Sequence, residues 1–476
     1  MCCIPRRLLL PVDESAYAPR IPSDMRVERN GLLYLLLHPS APRWTVVNAT
    51  GLAAARLCDG QHTPAEIAAD IAQRWGQPVE RVLQDVKRCL EDLGRAGFLV
   101  EPAALTAVAR PSLLRHGWRL HLYVTEACNL RCRHCAVVDD AATSPQLSAA
   151  TVRDLVDQAV AAGAEGIAFG GGEPLLRPDL LDLLAHAAPR VKTILATNAT
   201  LLDDHLTRIL ADLGVIVQVS VDGPTAEVHE RVRGPAAFDR AWQGIEQLQQ
   251  AGMGARLALN VTLMRTNIGR APEIVALAEQ RGVAGLRFAP LQRMGRAAER
   301  WAELAPTPSE YAEAYRFLYG QTLRVSETRR VSVAVSPGLL GLEQEPPEEG
   351  MWCGLGHTLL VDARGDIYPC ALFTAPEFRL GNLAKTRLVE ALASAKLREL
   401  AALCERRREE IEECRACAWK HFCQGGCPGS VWLSHGAWYA TDGLCEVRRK
   451  MFRRLVFDQA SSVECDVVRP QTGERS

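Results

Sequence analysis

Three cysteines, Cys128, Cys132 and Cys135, fall in the stretch TEACNLRCRHCAV with the spacing C-x3-C-x2-C. Three thiolates can ligate three irons of a cubane [4Fe–4S] cluster and leave the fourth iron open to a substrate, since thiolate is the usual iron–sulfur ligand. A structural zinc would want four ligands, and His134 adjoins Cys135 too closely to complete a good tetrahedron. A second group of cysteines lies far downstream. Cys353 is followed by eleven residues, Gly365, four more residues and Cys370. Cys414, Cys417, Cys423 and Cys427 then read C-x2-C-x5-C-x3-C, and Cys445 closes the series. In CQGGCPGS the glycines stand where the chain must bend tightly around a cluster.

Composition says which compartment these thiols belong to. The chain has 476 residues, 48% of them apolar and 23% charged, enough for two to four domains with real cores. A net charge of −1 gives no reason to expect nucleic acid or an acidic membrane as partner. No apolar stretch approaches the roughly 20 residues of a membrane helix. The start, MCCIPRRLLLPVDES, has an apolar core too short for a signal peptide, and no motif supports lipidation of Cys2 or Cys3. A cytoplasmic protein is expected. In a reducing cytosol sixteen cysteines are not expected to form a disulfide framework, and their spacing says which of them hold metal. Cys58 and Cys89 are exceptions: they sit on apolar helix faces, as buried structural thiols do. Cys404 and Cys465 have no clear task.

The elements that must position the thiols divide the chain into regions. Residues 1–102 form one unit, with strand-like runs MRVER, LLYLLL and RWTVV before three helices. Thr63-Pro64-Ala65-Glu66 is an N-cap, proline at N1 and glutamate at N3, and Val82, Val86, Cys89, Leu90 and Leu93 mark a buried helix face. Residues 118–325 alternate strand and helix, with strands at 119–125, 165–169, 191–196, 215–220, 256–263 and 285–289. Six such units predict an α/β fold, a parallel sheet closed or partly closed into a (β/α)6 barrel. Chemistry in such folds sits at the C-terminal strand ends, where the cysteine triplet lies. Residues 326–349, rich in proline and charge, read as a linker, 350–450 as a cysteine-rich domain and 451–476 as a tail. The run CERRREEIEEC reads as a solvated helix face.

The three-cysteine loop resembles the radical S-adenosylmethionine (SAM) superfamily, and FGGGEPLL after the second strand strengthens the likeness. Gly171, Gly172 and Glu173 resemble the superfamily's GGE segment, in which glycine permits close approach to SAM and the carboxylate can hold its ammonium. ATNAT at the third strand's end resembles the family's TNG around Asn198, with Ala199 in place of glycine. In VSVDGPTAEVHERVRG, Ser220 and Asp222 match positions near the SAM ribose. Arg233 is a candidate partner for the SAM carboxylate, or else a surface salt bridge at a helix entry. The resemblance implies that the open iron chelates SAM and that its reduction yields a 5′-deoxyadenosyl radical.

The downstream cysteines are similar to the seven-cysteine layout of SPASM domains, giving three [4Fe–4S] clusters in all. By that resemblance Cys414, Cys417, Cys423 and Cys445 ligate an outer auxiliary cluster, and Cys353, Cys370 and Cys427 hold an inner one. The inner set is one thiolate short; Cys404, water or a substrate cysteine can fill it. Sulfatase-maturing relatives have an aspartate base directly after the position of Cys370, where this chain has Ala371. Residues 1–102 resemble the PqqD-like, winged-helix-like domains that capture leader peptides.

The combination implies a radical SAM enzyme that modifies a ribosomally made peptide or small protein subunit, with a ferredoxin- or flavodoxin-type reductant. A thioether between a cysteine sulfur and a carbon is the expected product. The layout is similar to the maturases that install thioethers in the small subunit of quinohemoprotein amine dehydrogenase. Carbon–carbon crosslinking or another peptide oxidation, haem-pathway radical chemistry, and a non-catalytic iron–sulfur electron carrier are the rivals. Neither of the last two uses every motif.

Overall fold

The computed structural model of the protein describes residues 17–41, 43–99, 118–137, 146–322, 331–335, 355 and 358–462. Cys2, Cys3, Cys353 and Cys465 lie outside the described residues, as do most of 326–349 and the end of the tail.

In the first unit β1 (Arg26–Asn30), β2 (Leu33–Leu37) and β3 (Trp44–Val47) form an antiparallel sheet in that order. β2 is apolar at consecutive positions, and alternation along a strand sends such side chains to both faces. Leu36 joins the core under α1 (Ala49–Leu57), α2 (Pro64–Trp75) and α3 (Val79–Arg95). Leu35 and Leu37 join the other large core, with Phe452 and Val456 of the helix Cys445–Ser462. The small sheet is therefore covered on both sides. Arg26 Nη1 donates to Ala416 O at 2.6 Å and Arg453 pairs with Glu28 at 3.3 Å, fastening the first unit to the C-terminal one. α2 opens with the expected capping box: Glu66 N donates to Thr63 Oγ1 at 3.3 Å and Thr63 N to Glu66 Oε2 at 2.8 Å. Val82, Val86, Leu90 and Leu93 are buried on α3, and Cys89 is half-buried beside them.

The central sheet is built from β4 (Arg119–Thr125), β5 (Gly166–Gly171), β6 (Lys192–Thr197), β7 (Ile216–Ser220), β8 (Leu257–Leu263) and β9 (Gly285–Pro290). All six pair in parallel with their sequence neighbours. Leu120, Leu122, Phe169, Leu195, Val217, Val219, Leu259 and Phe288 turn one face into the helix-covered core. Each such side chain contributes about 1.5–3 kcal/mol on burial.

The sheet continues past these six strands. β10 (Ser332–Val335) adds in parallel beside β9, and β11 (Thr358–Val361) adds in parallel beside β4. β12 (Asp366–Tyr368) and β13 (Gly381–Asn382) extend it antiparallel. Among the described residues the order β10-β9-β8-β7-β6-β5-β4-β11-β12-β13 leaves β10 and β13 as edges, an open barrel. β10 falls inside the stretch expected as a linker. Its VSVAV alternation is a strand signal, but the proline and charge after it pointed the other way. β11 and β12 bring the Cys370 segment directly against β4, the strand that leads into the cysteine triplet.

Candidate active site and cluster sites

β4 delivers the chain to the loop that carries Cys128, Cys132 and Cys135, and a half-turn of contacts holds that loop. Cys135 N donates to Cys132 O at 3.3 Å, Arg133 N to Val232 O at 2.8 Å, and Arg296 Nε to Cys132 O at 2.9 Å. The three side chains gather with Leu130 and Ala237 in one apolar nest, and all three thiols are free. Leu130 N points at Cys128 Sγ from 3.5 Å, and Arg233 Nη1 stands 3.9 Å from Cys132 Sγ. Burial pushes the Cys128 thiol up to about 11 and raises that of Cys132 against the nearby Arg233 charge. These thiols would therefore ionise on binding iron and release their protons then.

Zinc would need donors about 2.0–2.3 Å away. Among the described residues, no three His, Cys, Asp or Glu groups converge closely enough to hold one ion. The triplet's fit to a cluster rests on its donors: the Leu130 N–H and the Arg233 guanidinium face the sulfurs of Cys128 and Cys132, as suits thiolates that carry a cluster's negative charge. His134 does not join the triplet as a ligand. Its Nε2 faces Asp222 at 3.3 Å, and its Nδ1 is buried without a partner among the described residues. Burial pushes His134 down to about 4, so this contact is a polar one and not an ion pair at neutral pH.

Gly171 and Gly172 run along the cysteine loop. Gly172 N donates to Thr125 O and Glu173 N to Ala127 O, both at 2.8 Å. A methyl on Gly172 would stand 2.6 Å from Glu126 O and closer still to Ala127 O, so only glycine fits. Glu173 is fully buried. Its carboxylate accepts from Thr197 Oγ1 at 2.7 Å, Asn198 N at 2.8 Å and Leu175 N at 3.2 Å, tying the end of β5 to that of β6. Burial raises its carboxyl above the ordinary value although these donors pull the other way. Asn198 Nδ2 donates to Asn129 Oδ1 at 2.8 Å, and Asn129 Nδ2 to Thr200 Oγ1 at 2.8 Å. Asn129 thus links the third strand end to the triplet, a role whose only sequence signal is its place next to Cys128. Ala199, the departure from the family pattern, has φ +62° and is fully buried.

Ser220 ends β7, half-buried, with its backbone paired to Asn260. Asp222 is fully buried: Oδ2 receives Arg233 Nε at 2.6 Å and Oδ1 receives Thr262 N at 2.8 Å. Burial works to raise its carboxyl, yet the Arg233 charge, His134 and the Thr262 N–H hold it below the usual carboxylate range. Arg233 is 8% exposed, so the alternative of a surface salt bridge is corrected. The guanidinium is an interior group, oriented by Asp222 and reaching toward Cys132.

Downstream, Cys414, Cys417, Cys423 and Cys445 carry free thiols and line one small cavity together with Arg448. Arg448 Nε donates to Cys423 Sγ at 3.1 Å, and Nη1 to Asp442 Oδ2 at 2.8 Å. Burial opposes both charges of that pair, but each holds the other ionised: Asp442 is lowered and Arg448 raised. Arg407 corrects the expectation of a solvated helix over CERRREEIEEC. It is 1% exposed, with Nη2 donating to Gly425 O at 2.7 Å and Ala440 O at 3.2 Å and Nη1 to Trp438 O. It therefore anchors the loops before Cys427 and Cys445. The residue was hidden because the seven other charged residues of that run, from Glu405 to Glu413, are exposed or half-exposed.

For the inner set, Leu372 N donates to Cys370 Sγ at 3.3 Å, and Cys427 N donates to Asp442 Oδ2 at 3.3 Å. A methyl on Gly429 would meet Leu372 Cβ at 2.6 Å, so the Cys370 loop lies against the helix that begins after Cys427. Cys427 and Leu372 also line a cavity of about 260 Å³ that opens at the end of β9, along Pro290, Leu291 and Gln292. Gly365, at φ +86°, turns β11 into β12 and so sets Cys370 beside β4. Cys404 is buried in an apolar cluster with Phe373 and Leu400, and Cys370 flanks that cluster.

Residues 122–278 match the Radical SAM superfamily, 34–99 match Coenzyme PQQ synthesis protein D (PqqD), and 353–418 match the SPASM iron-sulfur cluster-binding domain. The mycofactocin maturase MftC of Mycobacterium tuberculosis is 31% identical over 313 residues, 64% of this chain and 76% of its own length. The chain belongs to the radical SAM/SPASM maturases with a PqqD-like domain. The AdoMet-dependent heme synthase of Oleidesulfovibrio alaskensis is 29% identical over 352 residues, 68% of this chain and 85% of its own. Two solved structures share the fold. The enzyme anSMEcpe with bound AdoMet aligns at TM-score 0.58 and 20% identity, over 73% of this chain and 100% of its own. Streptococcus suis SuiB bound to S-adenosylmethionine aligns at 0.57 and 16%, over 90% and 100%. The protein is an enzyme that uses SAM and [4Fe–4S] clusters. No helix among the described residues is long and apolar enough to cross a membrane.

Proposed function

We propose that the enzyme closes thioether bonds between a cysteine sulfur and a carbon in a ribosomally made precursor peptide or small subunit. When bound, the cofactors supply reductive cleavage of SAM to a hydrogen-abstracting radical and an acceptor for the electron left over as carbon and sulfur join. The chain's own residues do the positioning. Cys128, Cys132 and Cys135 hold the SAM-binding cluster; Gly171, Gly172, Glu173, Asn198 and Ser220 shape the SAM site beside it. Arg233, oriented by Asp222, would pair with the SAM carboxylate. Cys414, Cys417, Cys423 and Cys445 hold the outer auxiliary cluster, and Cys353, Cys370 and Cys427 the inner one. A precursor cysteine would supply a fourth thiolate there, Cys404 being held in the apolar core. A ferredoxin- or flavodoxin-type protein of the cytoplasm delivers electrons.

The observation that carries the peptide reading is the first unit. Among the described residues its sheet has β1 and β3 as edges, β2 being paired on both sides, and an extended leader can add to such an edge. Supported by the MftC relatives, the division into 1–102, 118–325 and 350–450 assigns capture, radical chemistry and electron handling to separate regions. The heme synthase relatives favour a small-molecule alternative, which gives the first unit nothing to bind. Deleting residues 1–102 should weaken precursor binding at least tenfold, with uncoupled 5′-deoxyadenosine formation as the check that losing Leu35 and Leu37 from the shared core has not unfolded the remainder. Equal precursor affinity with and without the segment refutes the capture role.

A further inference from the structure

Arg448 and Asp442 stand between the two sets of cysteines in the C-terminal domain and touch both. Arg448 Nε lies 3.1 Å from Cys423 Sγ, in the outer set. Its other nitrogens form a two-pronged ion pair with Asp442, Nη1 to Oδ2 at 2.8 Å and Nη2 to Oδ1. Asp442 Oδ2 then accepts from Cys427 N at 3.3 Å, in the inner set, and Oδ1 from Leu444 N at 3.2 Å, just before Cys445. Both side chains are almost wholly buried, at 3% and 5% exposure. Gly426 is what lets the pair sit there: a methyl on it would lie 2.5 Å from Asp442 Oδ2 and closer to Arg448 Nη2. Arg448 also lines both the small cavity of the outer set and the larger cavity beside Cys427.

A buried ion pair is weak evidence of stability, because desolvation offsets its attraction. What it does supply is a fixed local field. Reduction potentials of iron–sulfur clusters respond to nearby charge, to hydrogen bonds on sulfur and to solvent exposure. A cation with an N–H on a ligand sulfur favours the reduced, more negative cluster; a carboxylate one residue-length away opposes that effect.

Resting on the reading that Cys414, Cys417, Cys423 and Cys445 hold the outer auxiliary cluster, we infer that Arg448 and Asp442 are a paired potential-setting device for that cluster. Arg448 raises its reduction potential through the Nε–H to Cys423 sulfur, and Asp442 limits the rise while bracing the Cys427 backbone. The two are positioning residues with opposite electrical effects.

The test uses the full chain reconstituted with iron and sulfide and titrated against dithionite, with the outer-cluster signal followed by electron paramagnetic resonance. That signal is the one lost in Cys414→Ala together with part of the bound iron. Arg448→Gln should shift it to lower potential and Asp442→Asn to higher potential. If Arg448→Gln fails to hold iron, Arg448→Lys takes its place with the same sign, since it keeps a charge but loses the Nε–H. Opposite shifts support the inference, and any other pattern overturns it. If Cys414→Ala changes neither iron content nor spectrum, the cluster assignment falls and the inference falls with it; an unmoved Cys414-dependent signal overturns the inference alone.

Discussion

Replacing Gly172 by alanine inserts a single methyl between the GGE segment and the cysteine loop. The new carbon would lie 2.6 Å from Glu126 O and nearer still to Ala127 O, so one backbone must retreat by about 1 Å to reach ordinary contact. Two 2.8 Å bonds stand in the way of that retreat, Gly172 N to Thr125 O and Glu173 N to Ala127 O. Losing both costs about 2 kcal/mol, at ~1 kcal/mol each. Overpacking a closed site adds about 1–3 kcal/mol. The expected destabilisation is therefore about 3–5 kcal/mol. A reactant displaced by about 1 Å loses on the order of 100-fold in rate. Gly170→Ala is the internal control, because its methyl would meet only Ala196 Cβ, at an ordinary 3.8 Å. Denaturant unfolding of the reconstituted proteins gives the stabilities, and SAM-dependent 5′-deoxyadenosine release gives the rates. If the Gly172 variant matches the Gly170 variant in both, the close approach of these two segments does not set the site.

Three further outcomes follow from single side chains. Arg407→Ala leaves the carbonyls of Gly425, Trp438 and Ala440 without their donor; it should cost ~3 kcal/mol or more and lower auxiliary iron content, read by denaturation and iron analysis. Ala199 sits at φ +62°, where a β-branched residue is an outlier. Ala199→Val should destabilise by about 2 kcal/mol or more, whereas Ala199→Gly should stay within about 1 kcal/mol of the parent, relief of strain being offset by the lost buried methyl. Burial pushes Cys58 and Cys89 up to about 12, from an ordinary value near 9. The folded thiols stay protonated while the unfolded ones ionise, so stability is full below about pH 9 and falls toward pH 12, by about 1.4 kcal/mol per pH unit and thiol. Alkylation at pH 8 should leave both unmodified until the chain unfolds.

The six central strands were legible because each is a short apolar run followed by a helical pattern, and the gathering of Cys128, Cys132 and Cys135 because their spacing is local. The capping box at Thr63 and Glu66 was legible for the same reason. What the sequence hid is long-range. β11 reaches across more than two hundred residues to pair with β4, and nothing in TLLV says so. Asp222 and Arg233 read as two separate SAM contacts, but their pairing depends on the turn from β7 into the next helix. Arg407 and Arg448 lay in charge-rich helices whose exposed members outnumber them. A buried arginine among exposed ones has no local signature, because its partners are carbonyls and a carboxylate supplied by other loops.

A radical generated from SAM at Cys128, Cys132 and Cys135 and directed onto a peptide leaves two products, 5′-deoxyadenosine and a lighter peptide. The most direct measurement incubates the reconstituted enzyme anaerobically with SAM, dithionite and a cysteine-containing precursor peptide that it binds, following 5′-deoxyadenosine by chromatography and the peptide by mass spectrometry. The account predicts 5′-deoxyadenosine from the parent and none from the triple Cys→Ala variant. It also predicts a peptide lighter by one hydrogen from sulfur and one from carbon for each bond formed. Unchanged 5′-deoxyadenosine release from the triple variant, or release from the parent with no change in the mass of a peptide it binds, would contradict it.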